Sequence, residues 1–151
     1  MLTAEEFYEL IMNEPAAYQV PEIKNVNYSK GYLEFSKENY REAESLFRQY
    51  VNLEGNSGSA TLADAYNRLG DCRFIQSDYW QAMEFYDKVI NSGKADVPYA
   101  YFQKGFSLGL VDRPQGKIET LEELMVKYPA SAYIDDALFE LGRSYLLLNN
   151  P

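Results

Sequence analysis

Few side chains in these 151 residues could carry chemistry. Histidine is absent, cysteine occurs once, at Cys72, and what remains is 23 carboxylates, 14 lysines and arginines and 14 tyrosines. The adjacent carboxylates Glu5-Glu6, Glu122-Glu123 and Asp135-Asp136 invite comparison with the acid and base of glycoside hydrolysis. Neighbours on a helix point about 100° apart, so each pair diverges instead of converging on one bond. They read as solvated faces or, for Asp135-Asp136, as negative charge near a helix start. A zinc site would have to use Cys72 and carboxylates without imidazole or a second thiolate, so no metal is expected. Cys72 stands among helical apolar residues and reads as a small core residue, not a reactive thiol. Gly55, Gly58 and Gly93 sit in plain loop contexts, and no phosphate-cradling loop of the P-loop or dinucleotide type occurs. No cofactor is implied, and the chain is expected not to be an enzyme.

Charge narrows the partners. The formal net charge is −9. It supplies neither a basic face for phosphates nor attraction to anionic lipid, so nucleic acid and membrane surface are not expected partners. No apolar run approaches the ~20 residues that span a bilayer, and membrane insertion is not expected. The opening MLTAEEFYELIMNEP places four glutamates where a signal peptide carries a basic region and an apolar core, so it does not read as one. The hydrophobic fraction of 46% and the aromatic fraction of 15% belong to a chain that folds around a core, which 151 residues can build without disulfides.

The elements that must position these side chains come from internal repetition. Aligning KGYLEF, LGDCRF, KGFSLG and LGRSYL sets Gly31, Gly70, Gly105 and Gly142 in register at intervals of 39, 35 and 37 residues. Each unit reads as helix, tight turn and second helix. In the second unit Ala65, Leu69, Cys72 and Ile75 form one apolar stripe, widened by Tyr66 and Phe74. Ser77-Asp78 makes the turn. Tyr79, Ala82, Tyr86, Val89 and Ile90 form the facing stripe, and Ser92-Gly93 ends the helix. Gly70 and Ala82 are the small residues that let the two helices approach. In the first unit Gly31, Tyr40, Ala43 and Phe47 take the places of Gly70, Tyr79, Ala82 and Tyr86.

The third unit starts at Pro98 behind the cap Asp96 and closes at Tyr128-Pro129. There Asp112-Arg113-Pro114 replaces the usual turn and Lys117 stands where alanine stood, so this hairpin is expected to pack more openly or to shift register. A fourth first helix begins after the cap Ser131. The domain reading is a second helix of a preceding half-repeat at 1–15, repeats at 24–54, 60–93 and 98–129, and a lone first helix at 131–149. Helices are expected near 3–13, 25–36, 39–53, 60–76, 79–92, 98–111, 115–127 and 131–148, in an all-α fold of stacked antiparallel hairpins.

YNRLG, with Tyr79, Ala82, Tyr86 and the closing Tyr128-Pro129, resembles the tetratricopeptide repeat family over roughly residues 24 to 149. The repeat interval sits just above the 34 residues of that unit. The resemblance implies a right-handed superhelix, an α-α solenoid, whose concave face is built mainly from first helices and binds extended peptides or partner helices. KYPASAYIDDALFELGRSY is similar to repeats of bacterial envelope proteins that coordinate outer-membrane assembly and cell division, which implies the cell envelope or periplasm.

The same resemblance implies that Tyr28, Tyr32, Phe35, Asn67, Asp71, Phe74, Phe102, Phe106, Leu110 and Phe139 face the groove. An apolar protein or peptide segment is the expected partner, with Asp64, Asp71 and Asp136 favouring basic flanks. The alternative is that Phe35, Phe74 and Phe106 pack between neighbouring repeats, in an array that only spaces other domains or self-associates. Some relatives grip acidic C-terminal tails of chaperones through basic and amide side chains. Here those positions hold Tyr28, Asn67, Phe102 and Phe139 and, one turn on, Tyr32, Asp71, Phe106 and Arg143, and only Asn67 and Arg143 are compatible. Phe7, Leu10, Ile11 and Pro15 match a second helix without its first, and Leu138, Leu141, Tyr145 and Leu148 leave a face uncovered. The expectation is a piece of a longer array, with self-association through the open C-terminal face as a further possibility.

Overall fold

A computed structural model describes Thr3 and residues 26–55 and 57–149. The expected helix at 3–13 and the half-repeat at 1–15 lie outside the described residues. The rest is all-α, with no strand among the described residues: α1 Val26–Ser36, α2 Tyr40–Glu54, α3 Ala60–Ile75, α4 Tyr79–Ser92, α5 Val97–Leu110, α6 Pro114–Lys127 and α7 Ile134–Asn149. Each helix packs chiefly on the helices before and after it in sequence. None among the described residues is long and apolar enough to cross a membrane.

Local chemistry sets the boundaries. Ser59, Asp78 and Asp96 cap α3, α4 and α5, their side chains accepting from the backbone N–H groups of Leu62, Gln81 and Tyr99 at 3.0, 3.3 and 3.1 Å. Pro98 occupies the first turn of α5, where its missing N–H costs nothing. Gly93 closes α4 in the left-handed conformation, with φ of 67°. At the start of α7 the structure differs from expectation. Ser131 does not cap the helix, which begins at Ile134. The chain first makes a turn in which Ser131 Oγ accepts from the N–H of Tyr133 at 3.1 Å, and the Tyr133 carbonyl then receives the Ala137 N–H. That extra turn carries the Tyr133 ring onto Phe102 and Tyr99, at 6.0 and 5.8 Å between centroids.

The three hairpins share one closing geometry. Glu38, Ser77 and Asp112 hold φ of 63°, 62° and 59°. The N–H of the next residue, Asn39, Asp78 or Arg113, reaches back to the carbonyl of Glu34, Arg73 or Leu108 at 2.9, 2.9 and 2.8 Å. The N–H groups of Glu38, Ser77 and Asp112 bond Phe35, Phe74 and Gly109. Both bonds together are the Schellman ending of a helix, made here without glycine. The turn at Asp112-Arg113-Pro114 is therefore of the same kind as the others, and the expected register shift does not occur.

Packing repeats with the turns. A Cβ added to Gly31 would lie 2.9 Å from the Phe47 ring, one on Gly70 2.5 Å from the Tyr86 ring, and one on Gly105 2.7 Å from Leu121. Each partner stands sixteen residues after its glycine and is fully buried. Ala43 and Ala82 are fully buried at the small-residue place of the second helix. Lys117 fits that place in the third unit because Gly109 gives its stem room, with an added Cβ only 2.9 Å from Lys117 Cδ. Its ammonium leaves the contact to pair with Glu140 of α7 at 2.7 Å. The core falls into two clusters, one over α2 and α3 with Phe47, Tyr50 and Leu69, the other from α4 to α7 with Tyr86, Val89, Leu121 and Leu124. Cys72 is wholly buried, and burial pushes its thiol up to about 12.

Candidate functional site

The places three before, one after and four after each registered glycine lie on the first helices α1, α3, α5 and α7. They hold Tyr28, Tyr32 and Phe35 on α1, Asn67, Asp71 and Phe74 on α3, Phe102 and Phe106 on α5, and Phe139 on α7; Leu110 follows one residue later on α5. Helix and turn geometry repeat, so these side chains recur on one side of successive hairpins. What each of them touches differs along the chain.

At the α1 end the side chains serve the junction with α3. Tyr28 Oη donates to Asp64 Oδ2 at 2.5 Å, and Tyr32 Oη donates to the same oxygen. Both rings meet Phe47 edge-on, at 6.1 and 5.4 Å. Burial first, and then the Asp64 carboxylate among nearby groups, pushes both phenols above the ordinary range, so they remain protonated donors.

In the middle, Asp71 is 6% exposed and accepts from Tyr86 Oη at 2.6 Å and Tyr99 Oη at 2.7 Å. Arg68 pairs with it at 3.1 Å and lies over the Tyr99 ring at 5.3 Å. Burial raises the Asp71 pKa, while Arg68 and the two phenols pull it down; the net direction is up. Asn67 is fully buried and donates from Nδ2 to the Asp96 carbonyl at 3.2 Å. These two residues knit α3 to α4 and α5 with their polar atoms turned to the protein itself.

Toward α7 the face becomes apolar and more open. Phe74 meets Phe106 at 6.1 Å, Phe106 meets Phe102 at 6.2 Å, and Phe102 meets Tyr133 at 6.0 Å, a row of half-buried rings from α3 to the start of α7. Two hollows flank the row. One of about 220 Å³ is lined by Phe35, Arg68, Asp71, Phe74 and Tyr99; the other, about 390 Å³, is lined by Phe106, Leu110, Lys117, Glu140, Arg143 and Leu147. Phe139 is 67% exposed beneath the Arg143 guanidinium, and Leu110 is 48% exposed. Of the ten residues read from sequence, Phe35, Asp71 and Phe74 meet at the smaller hollow and Phe106 and Leu110 at the larger. Phe139 stands apart on α7.

Of the carboxylate pairs, Glu5-Glu6 lies outside the described residues, and the other two are engaged locally or solvated. Glu123 accepts from Tyr101 Oη at 3.0 Å and pairs with Lys127 at 2.6 Å, while Glu122 accepts from Tyr145 at 2.5 Å. Asp135 and Asp136 are exposed in the first turn of α7. No group of three or more metal-ligating side chains is assembled among the described residues.

Arg68, Tyr99 and Tyr133 escaped sequence reasoning, as did the pairing of Lys117 with Glu140. One signal was present. Phe47 and Leu121 fill the glycine notch in the first and third units, whereas Tyr86 brings a hydroxyl that needs a partner when buried. Asp71, one residue past the facing glycine, is the nearest acceptor the register offers. No family model matches the chain, and no curated protein matches it.

Proposed function

We propose that the chain is a tetratricopeptide-type array, wound as a right-handed superhelix of hairpins, and that it works as a non-catalytic interaction module. The fold half of this reading is supported by three hairpins with the same Schellman turn and the same glycine-to-core contact sixteen residues on. The functional half rests on one observation: the half-exposed aromatic row Phe74, Phe106 and Phe102, with a hollow on either side, on successive first helices. Rings of this kind offer large apolar contact at low entropic cost. The ligand is an apolar protein segment with basic flanks, drawn by the net charge of −9.

Selection from a random peptide library tests this. The wild type should enrich sequences with an apolar core and lysine or arginine at the ends, and a Phe102→Ala plus Phe106→Ala variant should not. Enrichment of the same sequences by both proteins would place binding elsewhere. A second reading, self-association, is favoured by α7, where Leu146 and Leu147 are 73% and 68% exposed.

A further inference from the structure

The place four residues past the registered glycine holds Phe35 in the first unit and Phe74 in the second, and the first residue of the second helix is Tyr40 or Tyr79. In both units the two rings meet edge-on across the hairpin turn, at 5.2 Å between centroids. In the third unit the same places are Gly109 and Pro114, so both rings are missing. The Lys117 stem, lying against Gly109, takes part of that space. A hollow of about 390 Å³ remains, with Gly109, Pro114 and Phe106 in its lining. The rings that stand there in the other units come from the same hairpin, α1 with α2 and α3 with α4, so the hollow arises from two residues of α5 and α6.

The hollow is apolar at its mouth and polar at its floor. Leu110 and Leu147 are exposed, whereas Lys117 and Glu140 are buried. Lys117 Nζ donates to Glu140 Oε2 at 2.7 Å, lies 6.0 Å from the centre of the Phe106 ring and makes no other hydrogen bond among the described residues. Glu140 Oε1 accepts from Arg143 at 3.3 Å. An ammonium has more donors than one partner uses, and a carboxylate oxygen accepts more than one bond. A side chain entering the hollow excludes water, and an apolar tip would leave the remaining ammonium donors without acceptors. A hydroxyl accepts from Lys117 and donates to Glu140 at once, whereas an indole N–H can only donate. We infer that this hollow anchors the ligand by one tyrosine side chain, its ring in the space left by Gly109 and Pro114 and its hydroxyl between Lys117 and Glu140. The inference rests on the reading of the chain as an interaction module and names the residue that anchors its ligand.

Three labelled peptides test it by fluorescence anisotropy: one apolar helical sequence with lysines at both ends, carrying tyrosine, phenylalanine or leucine at its central place. The wild type should bind the tyrosine peptide about threefold to tenfold more tightly than the phenylalanine peptide, the span of one net hydrogen bond. It should bind the phenylalanine peptide about threefold or more tighter than the leucine peptide, through ring contact with Phe106. Lys117→Met plus Glu140→Leu makes the floor apolar, so the preference for tyrosine over phenylalanine should vanish while the ring still outranks leucine. A quadruple variant, Gly109→Phe, Pro114→Tyr, Lys117→Ala and Glu140→Gln, installs the residues of the second unit at these places, Phe74, Tyr79, Ala82 and Gln103, and should lose every preference among the three peptides. Circular dichroism establishes which variants are folded, and the wild-type ratios with the double variant decide the inference even where the quadruple variant does not fold. Equal binding of the three peptides to the wild type would overturn the inference and leave the groove reading standing; absence of binding by all three would overturn both. A tyrosine preference that persists in the folded double variant, or a ring preference that persists in the folded quadruple variant, would place the anchor elsewhere and overturn the inference alone.

Discussion

Gly70 and Gly142 occupy the same place in the repeat and meet opposite surroundings. An added methyl at Gly70 lies 2.5 Å from a ring carbon of Tyr86, which is fully buried and bonded to Asp71, so the ring has nowhere to go. Gly70→Ala should cost about 1–3 kcal/mol by overpacking. Gly142→Ala meets open space in mid-helix and should stabilise the fold by about 0.5–1 kcal/mol, the helix-propensity difference. Urea denaturation of the two variants checks the opposite signs.

Asp71 gives a prediction with pH. Its pKa is raised by burial, so the folded state holds the proton more tightly than the unfolded chain does. Its contribution to stability is present below the unfolded value and is lost as pH rises through the raised folded value. Asp71→Asn lacks that dependence, so its stability relative to wild type should improve as pH rises from about 3 to about 6, the span just around and above an ordinary aspartate. Denaturation curves at several pH values would show it, and a relative stability that worsens with pH would contradict it. The registered glycines were legible in sequence because a close approach demands the smallest residue. The burial of Asn67 and Asp71 was not, because helical spacing assigns a face without saying whether a neighbouring tyrosine will close over it.

Among the elements, the hairpin turns show the same division. The capping residues Ser59, Asp78 and Asp96 stand one residue before the helices they cap, where the side chain can reach an orphan N–H. The Schellman endings escaped notice because their left-handed residues are Glu38, Ser77 and Asp112, not glycine. For the same reason the third hairpin read as irregular although its turn matches the other two. Between α6 and α7 the Lys117 and Glu140 pair is nearly dry, with side chains 10% and 8% exposed. Lys117→Met should strand the Glu140 charge and cost about 3 kcal/mol, the lower end for a broken buried pair, since Arg143 still reaches Glu140 at 3.3 Å. Adding Glu140→Leu should recover most of that loss, and a thermal-denaturation double-mutant cycle measures the coupling. Additive losses would show that the pair does not couple the two helices.

At the scale of the whole molecule, alternation of first and second helices presents one side chain set per repeat on the same side, and the proposed choice of ligand follows from its composition. The places that would hold cations for an acidic tail carry Tyr28, Phe102 and Phe139, and Arg68, the buried cation nearby, is already paired with Asp71. A peptide ending in several carboxylates should therefore show no micromolar heat of binding at ordinary salt in titration calorimetry. Its opposite, an apolar helix with leucines at every third or fourth place and lysines at both ends, is the ligand the aromatic row and the net negative charge favour. Fluorescence-anisotropy titration of that one labelled peptide is the most direct measurement. Saturable binding to the wild type, weakened about tenfold or more (about 1.4 kcal/mol) by Phe102→Ala plus Phe106→Ala and reduced by added salt, is the predicted result. Equal affinity of the folded double variant and the wild type would contradict it.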